Sequence, residues 1–165
     1  MDYSQKNTDL TILLNDLVKI NNDRFEGYRK AEQQAKDNTD LQSIFKDKSH
    51  QSLDFIIVLK HYIETLGHNY NNDTTFAGKV FRTWMDIKNT FKPNNTTSIL
   101  DSCEFGEDAA IKAYDNALKS DTEISAEIRQ HILEQQTAIK KSYDLIRRYR
   151  DLNLNLFKYS KGFTS

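Results

Sequence analysis

Four long stretches of this chain repeat apolar side chains at three- and four-residue steps, and all four stripes turn polar near their midpoints. A stripe of that period is the buried face of an α-helix. A polar side chain in mid-stripe has to find its hydrogen bonds inside the core, from polar groups at the same depth on other helices. The positions are Asn21 and Arg24, then Ser49 and Ser52, then Glu107, then Gln135 or Gln136. The pattern leaves one economical solution: a helical bundle with a polar layer at half height.

Composition points the same way. One proline and five glycines in 165 residues leave little material for a turn-rich β fold, and long runs of Lys, Glu, Gln and Leu favour helix. The expected class is all-α, in one domain large enough to bury a core. A formal net charge of −1 with no basic tail or stripe gives no footprint for a phosphate backbone, which argues against nucleic acid as a partner. Met1 to Lys6 are polar, and no apolar run approaches the ~20 residues of a membrane span. The expectation is a soluble, cytoplasmic protein without a membrane partner. The single cysteine, Cys103, excludes an internal disulfide and agrees with a reducing compartment.

The first helix is expected over about 8–35, with Leu10, Leu13, Leu14, Leu17, Tyr28, Ala31 and Ala35 inward. Asp37-Asn38-Thr39 breaks it, and Thr39 with Gln42 reads as a capping box opening a second helix over about 39–66. Gly67 reads as its left-handed C-cap. A shorter amphipathic segment at about 75–91 carries Phe76, Val80, Trp84, Ile87 and Phe91 and is stopped by Pro93. The third long helix is expected over about 96–119, with Ile99, Cys103, Ala110, Tyr114 and Ala117 inward. Ser120 with Glu123 is a second capping-box pattern, and the fourth helix follows over about 122–152, with Ile128, Ile132, Ile139, Tyr143 and Ile146 inward.

Short loops make helices one and two, and three and four, antiparallel hairpins. A helix of about 28 residues is about 42 Å long, a distance the long second connection with its short extra helix can travel back. Helices two and three are then parallel, the connectivity of ferritin-like four-helix bundles with one long crossover. The alternative is a fifth helix capping one end. Trp84 packs on the bundle in either case. Residues 153–165, with Leu154, Leu156, Phe157, Tyr159 and Phe163, form a tail more apolar than a free end. It extends helix four, folds back, packs on a second copy, or frays.

Helical-wheel arithmetic at about 100° per residue locates the polar layer. Measured from Leu17, Arg24 falls about 20° away and Asn21 about 40°, whereas Glu26 lands about 180° away, in solvent. Glu107 lies about 40° from Cys103, and Glu104 about 100°, at the edge. Arg24 and Glu107 are therefore expected to meet at the bundle centre, with Asn21, Ser52, Gln135 and Tyr28 filling the remaining hydrogen-bond sites. Opposite charges buried at one depth should be partners, because a lone buried charge costs several kcal/mol.

A di-metal bundle takes one Glu from each of two helices and a Glu-x-x-His pair from each of the other two. No Glu-x-x-His occurs in this chain. The nearest approximations are Asp47 with His50 on helix two and Glu127 with His131 on helix four; Asp47 and His50, joined by Glu104 and Glu107, are the substitute for an iron or manganese site, yet Asp47 and His50 fall about 160° and 140° from Phe45 on the wheel, and His131 about 100° from Ile132. No cofactor is expected. No hydrolytic triad, phosphate loop or dinucleotide fingerprint is present either.

The stretch from Leu14 to Tyr28, the segment from Phe81 to Lys88, and Cys103 to Asp108 with Tyr114 together resemble an uncharacterised bacterial family of ferritin-like four-helix-bundle proteins. The likeness covers about residues 8–150. It implies a ferritin-like fold in a cytoplasmic bacterial protein of unknown function, with stress-associated roles suspected. Where such relatives often carry His before Asp in helix four, this chain has Tyr143 before Asp144, which removes a plausible ligand.

Three function classes follow. The first and preferred is a non-catalytic bundle acting through its surface, on a protein partner or on itself. The second is a metal-binding ferroxidase or oxidase built on Glu104, Glu107, Asp47 and His50. The third is a binder of small apolar ligands, using a gap beside Tyr28, Tyr114 and Tyr143.

Overall fold

The computed structural model describes residues 2–71 and 95–162. Within them the chain forms four helices: α1, Tyr3–Gln34; α2, Thr39–Thr65; α3, Thr96–Lys119; and α4, Ala126–Gly162. The protein is an all-α four-helix bundle. The expected short helix at about 75–91, and Trp84 with it, lie outside the described residues. No described helix is long and apolar enough to cross a membrane.

Contacts between the helices fix their directions. Along α1, Asn21 meets Tyr114 while Arg24, further on, meets Glu107, so α3 runs antiparallel to α1. Arg24 also meets Ser52, and Tyr28 stacks near Phe45 with ring centroids 5.9 Å apart, so α2 is antiparallel to α1 as well. Helices α2 and α3 are consequently parallel, and the end of one and the start of the other lie at opposite ends of the bundle. That is the one-crossover connectivity expected from the length of the second connection.

The core is a continuous stack of Leu10, Leu13, Leu17, Phe45, Leu59, Ile63, Ile99, Ala110, Ile132, Ile139 and Ile146, with Tyr28 and Tyr114 among them. Every residue of α1 from Leu13 to Asn21 is buried, so this stretch is covered on all sides and not along a single stripe. Asn15, Asp16 and Lys19 are buried with it. Part of that cover is the chain after α2, where the Asn71 amide donates to Asn15 Oδ1 at 3.2 Å.

Both expected capping boxes are replaced by simpler caps. The side chain of Asn38, one residue before Thr39, accepts from the Leu41 amide at 3.0 Å and caps α2. Ser120 terminates α3, its hydroxyl donating to Ala117 O at 2.8 Å, and Ser125 stands at the start of α4, its hydroxyl accepting from the Ile128 amide. An acceptor one residue before the first helical turn reaches the free amides without a reciprocal partner, which is why the nearby Gln42 and Glu123 are not required. Glu123 instead pairs with Lys6 at 2.5 Å and ties the start of α1 to the α3–α4 loop. Helix α1 begins at Tyr3 and not at Thr8, and α4 continues through Gly162 and not only to 152.

Gly67 ends α2 with φ +83°. Its amide donates to Glu64 O at 2.9 Å and the His68 amide to Ile63 O at 3.1 Å, the paired bonds of a Schellman motif. Space is not what demands glycine, since a Cβ there would meet nothing within 4 Å. The backbone is. Gly67→Ala should lower stability by roughly 1–2 kcal/mol, the cost of a left-handed residue with a side chain, with no change in helical content. A melting temperature equal to wild type would show that this turn relaxes at no cost.

Candidate functional site

Arg24 and Glu107 lie at the centre of the bundle, both side chains 0% exposed. The guanidinium grips the carboxylate with two parallel bonds, Nε to Oε2 at 2.8 Å and Nη2 to Oε1 at 2.9 Å. The other two helices supply the remaining acceptors. From α2, Ser52 Oγ accepts from Nη1 at 2.9 Å and Gln51 Oε1 from Nη2 at 2.8 Å; from α4, Ser142 Oγ accepts from Nη2 at 3.2 Å. Tyr28, one turn along α1 from Arg24, donates its hydroxyl to Glu107 Oε1. One charge pair thus collects a partner from all four helices.

The small hydroxyls act as relays. Ser52 Oγ donates on to Lys48 O at 3.0 Å and Ser142 Oγ to Ala138 O at 3.0 Å, so each accepts from the arginine while its own proton satisfies a helix carbonyl. The Tyr28 ring lies 5.3 Å and the Phe55 ring 6.0 Å from the guanidinium carbon, placing aromatic π-density against a dehydrated cation.

Asn21 and Gln135 form a second set, nearer the start of α1. Asn21 Nδ2 donates to Tyr114 Oη at 2.7 Å, and the Tyr114 hydroxyl donates to Gln135 Oε1 at 2.6 Å. Ser49, Gln136 and Tyr143 do not join either set. Ser49 donates to Lys46 O on its own helix, and Gln136 bonds Asp115. Tyr143, expected inward, is only half-buried, and Ser142 takes the inward place. Ser142 was legible from spacing: Ile139, Ser142 and Ile146 step by three and four residues along the same stripe. Gln51 was not, because it flanks the stripe and reaches the centre only by its length.

Dehydration disfavours the charged form of each titrating group in the layer. Burial, and then the neighbouring Glu107 carboxylate, push the Tyr28 hydroxyl and the Cys103 thiol well above their ordinary values. Burial raises Tyr114 as well. At Arg24 burial works against the charge, but attraction and hydrogen bonding to Glu107 outweigh it, and the group is held protonated above its usual range. Cys103 is therefore a packed thiol with little thiolate character.

The residues of the candidate metal set do not converge. Asp47 and His50 are exposed on α2, Glu104 pairs with Arg150 of α4, and Glu107 is held by Arg24. Among the described residues no three His, Cys, Asp or Glu side chains gather as a metal ion would require. Nor do the three tyrosines share a gap. Tyr28 and Tyr114 are fully buried, whereas Tyr143 lines a surface depression of about 340 Å³ with Asp101, Glu104, Phe105, Asp108 and Arg150.

Residues 10–120 match the family DUF2383, a domain of unknown function. The chain belongs to that family. No curated protein matches it. The DUF2383 match takes in Asn21, Arg24, Tyr28, Ser52, Glu107 and Tyr114, while Gln135 and Ser142 come from α4, beyond the matched residues.

Two measurements probe this layer in the DUF2383 chain. Glu107→Leu strands a buried guanidinium and should cost about 3–5 kcal/mol in urea unfolding, whereas adding Arg24→Met should restore much of the loss. A double variant no more stable than the single would refute the coupling. The second concerns pH. Tyr28 and Tyr114 stay neutral in the folded state at a pH where unfolded tyrosine ionises, so their contribution is complete below about pH 10 and declines as pH rises toward the raised folded values. Stability above pH 10 should fall by up to about 1.4 kcal/mol per pH unit for each tyrosine, and Tyr114→Phe should flatten that slope.

Proposed function

We propose that this DUF2383 chain is a ferritin-like bundle in which a buried Arg-Glu layer stands where such architecture holds two metal ions, and that it acts through its surface and not through chemistry in its core. The observation that carries this reading is the bidentate Arg24–Glu107 pair itself. Among the described residues Glu107 is the only carboxylate at half height that is fully buried, and a guanidinium and a tyrosyl proton already occupy its oxygens. A cation placed beside it would have to displace a fixed positive charge in a low-dielectric interior. The remaining layer members are amides and hydroxyls, poor company for hard, oxygen-activating ions.

The same donor set argues against a catalytic core. The carboxylate bonds the guanidinium and the Tyr28 hydroxyl, the Tyr114 hydroxyl is taken up by Asn21 and Gln135, and all four groups are 0% exposed, which leaves a substrate no approach within hydrogen-bond distance. A cytoplasmic, bacterial setting belongs to the same reading; the lone cysteine supports a reducing compartment, and the bacterial part rests on the resemblance alone.

Elemental analysis of protein purified without chelator, joined to thermal melts with and without iron or manganese, tests the proposal. The expected result is less than one metal ion per chain and a melting temperature that neither ion moves. Stoichiometric metal with a raised melting temperature would replace this reading with that of a ferroxidase or oxidase.

A further inference from the structure

Tyr62 ties α2 to α4 away from the central layer. Its hydroxyl lies within hydrogen-bond distance of two groups in the first turns of α4, Glu127 Oε1 at 3.2 Å and His131 Nδ1. The imidazole also packs on the phenol, with ring centroids 5.5 Å apart. Glu127 and His131 are four residues apart and share one side of α4, where the phenol reaches both. Tyr62 is buried, His131 half-buried and Glu127 exposed, so the cluster runs from the edge of the core to the surface.

Counting protons decides how the three are joined. Tyr62 has one hydroxyl proton, and Glu127, as a carboxylate, can only accept. With the His131 proton on Nε2, Nδ1 would also only accept. Two acceptors would then compete for one proton while the lone pairs of Tyr62 received nothing from either. With the proton on Nδ1, each contact has its own: Nδ1 donates to Tyr62 Oη, and Tyr62 donates to Glu127, the charged and therefore stronger acceptor. In histidine the nitrogen that carries the proton is set by the bonds the ring makes. Burial, and then the hydrogen bond to Glu127, raise the Tyr62 hydroxyl above its ordinary value, which keeps that proton on the phenol. Glu134 on α4 adds negative potential at the phenol, and the His61 ring on α2 lies 6.0 Å from it.

We propose that Glu127 acts through Tyr62 to hold His131 with its proton on Nδ1, so that Nε2 stands as a bare acceptor at the α2–α4 surface and is the nitrogen that takes up a further proton. Nε2 bonds no group among the described residues. A proton added there leaves the relay as it was, because Nδ1 already carries its hydrogen. As pH falls, this point of the surface therefore turns from hydrogen-bond acceptor to donor while the tie between α2 and α4 keeps every bond. Glu127 is a positioning residue in this device, which is independent of the Arg24–Glu107 layer.

Long-range proton–nitrogen correlation spectra of the isotopically labelled full chain read the tautomer, with His131 identified by the signal missing in His131→Gln. At alkaline pH, with imidazoles neutral, Nδ1 should show the shift of a protonated nitrogen and Nε2 that of a bare one. On acidification Nε2 should move to join Nδ1. Glu127→Ala, a change at an exposed residue, should free the Tyr62 proton for Nδ1 and invert the two shifts. Tyr62→Phe should return the tautomer balance of a free imidazole, and Glu127→Ala added to it should change nothing more, since the carboxylate acts only through the phenol. A bare Nδ1 in wild type would overturn the proposal, as would acidification that moves Nδ1 in place of Nε2. So would a tautomer that survives Glu127→Ala, or an effect of Glu127→Ala that persists without the phenol hydroxyl.

Discussion

A guanidinium in the dry centre of a helical bundle needs an acceptor at each of its nitrogens, and Arg24 sets that requirement for the whole structure. Its carboxylate partner comes from α3, its further acceptors from α2 and α4, and a tyrosine from its own helix completes the carboxylate. Each of these groups is carried on a rigid helix, so meeting them all fixes the relative height and rotation of four helices at once. A one-residue slip of any helix would swing its contribution by about 100° and leave a charge or hydroxyl unpaired.

Apolar packing alone would hold these helices together more cheaply. Replacing a buried ion pair by well-packed hydrophobic side chains is often neutral or stabilising. The second set also carries a cost, for Asn21 Oδ1 accepts no bond among the described residues. What the polar layer contributes is selectivity between packings: leucine and isoleucine stripes can slide by a turn and still bury similar area, whereas a bidentate pair has one register. The rest of the core, from Leu10 to Ile146, then packs around a geometry the layer has already restricted.

The legible and illegible parts of this site differ by physical reach. The depth of Arg24 and Glu107 follows from period alone, since both fall within about 40° of strongly apolar neighbours. Ser52 and Tyr28 follow by the same arithmetic. Gln51 does not, because a long flexible side chain can enter a core from a flanking position that the wheel assigns to the surface. The division of the polar residues into two sets is likewise invisible in the sequence. It depends on Tyr114 interposing its hydroxyl between Asn21 and Gln135, a relation between three helices. The caps are ambiguous in the sequence for a local reason: in Asn38-Thr39 and in Ser120 to Ser125 several residues can each accept from a free amide, and the one that does so is chosen by where the chain enters the helix.

The sequence by itself determined that this protein is helical, where its helices turn polar, and which two charges share a depth, because all three depend on periodicities written along one chain. Tertiary structure alone decided which acceptors complete the arginine, that Glu104 turns to Arg150 and away from Glu107, and that α4 outruns its neighbours. Those outcomes depend on distances between helices and on where each one ends relative to the others, quantities that arise only when four stripes are closed around one axis.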